Sequence, residues 1–78
     1  MNKQVQIDLV TRPVGDLTQH AVSVNGRTPI ESSWFGSDGE VTIDNITQSG
    51  DGVRYQLKFF RDGDLQTVTN KFLPWQEV

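Results

Sequence analysis

The stretch KFFRDGDLQTV, Lys58–Val68, decides how this chain folds. Two apolar runs flank Asp62-Gly63, a dipeptide that suits the tight turn of a β-hairpin because both turn residues need positive φ. A two-residue turn there makes Arg61 face Asp64 and Phe60 face Leu65. Carried along both strands, that register pairs Leu57 with Val68 and Val53 with Phe72. Tyr55 and Phe59 stand on the same face as those pairs. The opposite face then pairs Arg54 with Lys71, Gln56 with Thr69 and Lys58 with Thr67. One face is apolar and one polar, as a sheet that covers a core on one side requires. Phe60 and Leu65 fall on the polar face, so this reading leaves them exposed unless something outside the sheet, such as Trp34 or the TRPVGDL loop, covers them.

Working outward, apolar residues recur with period two between short glycine- and proline-marked breaks. The first strand is expected over Lys3–Val10, with Val5, Ile7 and Leu9 on one face. TRPVGDL (11–17) reads as a break, because Pro13 lacks a donor and Gly15 tolerates positive φ. A second strand covers Thr18–Val24, with His20, Val22 and Val24 on one face, and Asn25-Gly26 is a second tight-turn dipeptide. Pro29 makes the return run Arg27–Phe35 an edge strand or an irregular arm. Glu40–Ile46 is a strand with Val41 and Ile43 inward. No window holds the apolar spacing of a substantial helix. The expectation is an all-β single domain over 1–78, a small antiparallel sandwich or barrel of about five to six strands.

The order VTIDNI (41–46), GVRYQLKFF (52–60), DLQTVTNKF (64–72) resembles the end of an immunoglobulin-like or fibronectin type III-like domain. The resemblance covers the last half of the chain. It implies an immunoglobulin-like strand order, with Tyr55 in the place of the tyrosine that closes a corner in those folds.

Composition narrows the function. Hydrophobic residues make up 35% and charged residues 22% of the 78, the balance of a globular protein rather than a disordered one. A net charge of −3 argues against a nonspecific nucleic-acid binder, which carries a basic footprint. The absence of cysteine excludes a disulfide scaffold, a thiolate metal site and a cysteine nucleophile. Gln4, Gln6 and Asp8 interrupt any apolar segment near the start, so no signal peptide is read, and no run approaches the roughly 20 apolar residues of a membrane span. A cytoplasmic protein is expected.

Chemistry-bearing patterns are sparse. His20, the one histidine, has no nucleophile elbow to serve and shares a face with valines, so it reads as a packing residue and no enzyme is expected. DGDLQTVTNKFL (62–73) opens like a calcium loop but ends in Leu73 where glutamate is needed. Asn45–Thr47 matches a glycosylation acceptor. Trp34 and Trp75 suit sugar stacking or, more plainly, packing. Arg54, Lys58 and Lys71 form a basic stripe on the polar face of the last hairpin.

If successive strands are antiparallel, TRPVGDL, GSDG and RDGD share one end of the domain. That end gathers Arg12, Asp16, Asp38, Trp34 or Phe35, and the Phe60/Leu65 pair. The candidate binding residues are therefore Phe35, Phe60 and Leu65, rimmed by Arg61, Asp62 and Asp64, since an apolar patch with a charged rim is how a protein interface is built. The expected role is a non-enzymatic protein-binding module, either a small inhibitor or adaptor of the kind mobile elements encode or a structural module of a larger assembly, with no cofactor or metal. An edge strand offers a route to a homo-oligomer. The competing expectation is a carbohydrate- or calcium-binding domain.

Overall fold

Two three-stranded antiparallel sheets carry the chain, each a meander of consecutive strands. The computed structural model describes residues 4–78, so the expected start of the first strand at Lys3 lies outside the described residues. The chain divides into two units, the first ending at Ser37 and the second spanning Asp38–Val78. Each sheet has two edges, so neither closes into a barrel. The consecutive order also differs from a Greek key, which sets non-consecutive strands side by side. The only helical pieces among the described residues are two short 3-10 turns, so none is long and apolar enough to cross a membrane.

In the first unit β1 (Ile7–Val14) pairs with β2 (Leu17–Val24), and β3 (Phe35–Ser37) pairs with β2 on its other side. The break expected at TRPVGDL is a correction. β1 runs straight through Arg12 and Pro13, and the chain reverses at Gly15-Asp16, with Val14 facing Leu17. Proline is tolerated because β1 is an edge strand, where a missing donor costs no ladder bond. Asn25 (φ 53°) and Gly26 (φ 74°) form the expected tight turn. The run beyond it is the irregular arm, which makes a 3-10 turn at Glu31–Ser33 before β3.

The register of β1 on β2 places Ile7, Leu9, His20, Val22 and Val24 on one face, as the period-two reading expects. The other face carries Ala21 and Ser23, both buried. The arm crosses this face: the Ser23 hydroxyl donates to the Arg27 carbonyl (2.9 Å), and Arg12 reaches Glu31 (2.6 Å).

In the second unit β4 (Glu40–Gln48), β5 (Gly52–Arg61) and β6 (Asp64–Pro74) are laid side by side in that order. The turn is the one expected. Asp62 (φ 53°) and Gly63 (φ 82°) both take left-handed backbone, Arg61 faces Asp64 and Phe60 faces Leu65. Beyond that rung the register is a correction. Phe59 faces Thr67, so Gln66 has no cross-strand partner and forms a β-bulge. Every later pair shifts by one residue: Leu57 faces Thr69 rather than Val68, and Val53 faces Leu73 rather than Phe72. Because side chains alternate, the extra residue moves Val68 and Phe72 from the core face to the opposite face.

A second bulge lies in β4. Asp44 faces Gln56 and Thr47 faces Arg54, so Asn45 and Ile46 together oppose Tyr55. Asn45 adopts φ 53°, a conformation asparagine tolerates. The strand thus continues past the expected end at Ile46. The core face of this sheet buries Val41, Val53 and Leu57.

Candidate functional site

The face of the second sheet turned away from Val53 and Leu57 is read rung by rung, starting at the turn. It carries Phe60/Leu65, Lys58/Val68, Gln56/Asn70 and Arg54/Phe72. An alternating strand ordinarily gives this face polar residues only. Here Leu65, Val68 and Phe72 are 52%, 41% and 44% exposed. All three stand on β6, an edge strand, and Phe60 beside them is half-buried.

At the turn end, Arg61 donates to Asp38 (2.8 Å), and that bond lowers the Asp38 pKa. Of the charged groups expected at one end, these two do meet. Asp62 holds the turn, and Asp64 faces Arg61 across it. Arg12 belongs to a strand and not to a loop. Its guanidinium pairs with Glu31, donates to the Gln19 side chain (2.9 Å) and lies 4.2 Å from the Trp34 ring centroid. Phe35 is half-buried in β3 of the first unit, its ring 5.7 Å from that of His20.

At the far end, the Arg54 guanidinium makes two 3.1 Å bonds to the two oxygens of Asp51 and one of 2.8 Å to the Ser49 hydroxyl. The Ser49 hydroxyl in turn donates to Asp51 (2.6 Å), and the bonds from Arg54 first and Ser49 second hold the Asp51 carboxyl well below the usual carboxylate range. The Trp75 indole donates to the Ser49 carbonyl (2.9 Å), which clamps the final turn against this loop as packing tryptophans do. Lys58 pairs with Asp44 (2.8 Å). The expected basic stripe is therefore corrected: Arg54 and Lys58 are each neutralised by a carboxylate, and Lys71 faces Tyr55 on the core side of the register.

Between the rungs Gln56/Asn70 and Arg54/Phe72 lies an open groove of about 480 Å³, bordered on the β4 side by Asn45 and Thr47 and lined also by Tyr55 and Lys71. The Asn45 amide donates to Gln56 (2.5 Å), and the Gln56 amide donates to Asn70 (2.9 Å). Three strands thus contribute one amide each to a continuous row. Sequence reasoning missed this row, together with Val68 and Phe72, because two bulges assemble it.

His20 is 6% exposed, and neither ring nitrogen has a hydrogen-bond partner, so no carboxylate orients it. Among the described residues no three acidic or histidine side chains converge to hold a metal ion. Comparison with protein-family models, with curated proteins and with solved structures finds no match to this chain.

Proposed function

We propose that this chain is a non-enzymatic protein-binding module, a small inhibitor or adaptor or a structural module of a larger assembly. Its contact surface is the turn-proximal half of the open face of the second sheet. The observation that carries this reading is the exposure of Leu65 and Val68 beside Phe60, on a face that alternation should have kept polar. Apolar side chains grouped on one face beside Lys58, with the charged Arg61, Asp62 and Asp64 at the adjoining turn, form the pattern of an interface centre with a charged border.

Affinity capture of tagged protein from lysate of its native source tests the reading, run beside a Phe60→Glu/Leu65→Glu variant of verified fold. One partner retained by the native form and lost by the variant supports an interaction module and locates its face. Equal capture by both forms, or none by either, removes this surface from consideration.

A further inference from the structure

The other half of the same face has a different chemistry. We infer that the groove between Gln56/Asn70 and Arg54/Phe72 is a binding site for an uncharged, polyhydroxylated ring, a neutral sugar residue. It is separate from the turn-proximal apolar surface and does not depend on it.

The pleat of the sheet creates the groove. Between its two flanking rungs lies Tyr55/Lys71, a pair that also lines the groove although alternation directs its side chains to the opposite face. The flanking side chains are two residues apart along each strand, about 7 Å, enough to admit a six-membered ring edge-on. The β4 bulge then brings Asn45 and Thr47 to the open side. Without that extra residue Asn45 would not reach Gln56.

Electrostatics select a neutral ligand. The two cations on this face already meet carboxylates, Arg54 with Asp51 and Lys58 with Asp44. What remains is dipolar. In the amide row Asn45 gives to Gln56 and Gln56 gives to Asn70. The two atoms of the row that make no hydrogen bond within it are an acceptor at one end, the Asn45 Oδ1, and a donor at the other, the Asn70 Nδ2. A hydroxyl is both donor and acceptor, so two hydroxyls of one ring match the two ends of the row.

The opposite wall is the stacked pair of Arg54 and Phe72. The Arg54 guanidinium lies over the Phe72 ring, 4.6 Å from its centroid. Phe72 remains 44% exposed although Arg54 lies over it and Gly52 packs against it, so an apolar ring edge borders the groove. Planar amides on one wall and the edge of Phe72 on the other, with Arg54 held by Asp51, suit a ring that is apolar on its faces and hydroxylated at its rim.

The test is a titration of the full chain with the methyl glycosides of glucose, galactose, mannose and N-acetylglucosamine, followed by the side-chain amide resonances of Asn45, Gln56 and Asn70. Saturable shifts of these three with at least one glycoside are expected. A deoxy analogue lacking one hydroxyl should bind roughly tenfold more weakly, the loss of about one hydrogen bond. Gln56→Leu should abolish the shifts while Leu65→Glu leaves them unchanged. The deoxy comparison needs no variant and keeps the test intact if Gln56→Leu fails to fold. The inference is overturned if no glycoside moves these resonances, if N-acetylglycinamide moves them equally well, or if glucuronate displaces the neutral sugars.

Discussion

The Arg54 guanidinium lies over the Phe72 ring, 4.6 Å from its centroid, on the face of β5–β6 that looks away from Val53 and Leu57. The same ring covers Gly52 from across the strand. A Cβ at position 52 would meet the Leu73 carbonyl and two carbons of the Phe72 ring. Gly52→Ala should therefore destabilise the second unit by about 1–3 kcal/mol, the usual cost of overpacking. Urea denaturation reads this directly, and an unchanged midpoint would mean that neither the Leu73 carbonyl nor the Phe72 ring closes over Gly52.

Leu57 is 3% exposed and Leu65 is 52% exposed, although both belong to the last hairpin. Leu57→Ala should cost on the order of 2–5 kcal/mol, because it deletes buried methyl groups and leaves a cavity. Leu65→Ala should stay within about 0.5 kcal/mol of the native form, as exposed positions do. Equal losses in denaturant melts would contradict the assignment of faces.

Removing Gln66 would restore the unbulged register and drive Val68 and Phe72 toward the core face. That face is already filled along β5 by Val53 and Leu57. The deletion should cost about 1–3 kcal/mol through overpacking. A deletion variant as stable as the native form would show that β6 carries no extra residue at this point.

Gly63 sits at φ 82° in the turn. Gly63→Val forces a β-branched residue into left-handed backbone, a loss of roughly 1–2 kcal/mol. Hydrogen exchange should show the loss first at the rungs next to the turn, Arg61/Asp64 and Phe60/Leu65.

Asp51 has its folded pKa depressed by Arg54 and by the Ser49 hydroxyl. As pH falls, the unfolded chain takes up this proton before the folded one does. The contribution is therefore present above the unfolded carboxylate value, near 3.9, and fades as pH drops through the folded value. A carboxyl-carbon NMR titration should place the Asp51 midpoint below the ordinary aspartate range. In Asp51→Asn the acid limb of the stability curve should become shallower. An ordinary midpoint would mean that the Arg54–Asp51 bonds do not persist in solution.

The turns were legible where their chemistry leaves little choice. Asp62-Gly63 and Asn25-Gly26 both demand positive φ and both take it. Period two placed His20 with Val22 and Val24, and put Phe60 and Leu65 on the open face. Pro13 misled, because a missing donor reads as a break unless the strand is known to be an edge. Gln66 left no mark at all: a polar residue in an alternating strand fits either face, and neither glycine nor proline signals the bulge. Asn45 carried a faint signal, since asparagine tolerates left-handed backbone, yet nothing nearby says that it will use it. The turn-proximal apolar pair was therefore visible from parity alone. The amide row was not, because it exists only after β4 and β6 have each gained a residue relative to β5.

The bulge at Gln66 also bears on how this chain behaves in crowded company. β6 is an outer strand eleven residues long, and a flat outer strand is a template on which a second chain can stack. The unpaired residue bends and twists that border, Lys71 sets a charge along it, and Pro74 removes one amide donor from its end. The insertion that makes the side chains of this strand sticky thus also makes its backbone a poor seed for fibrils.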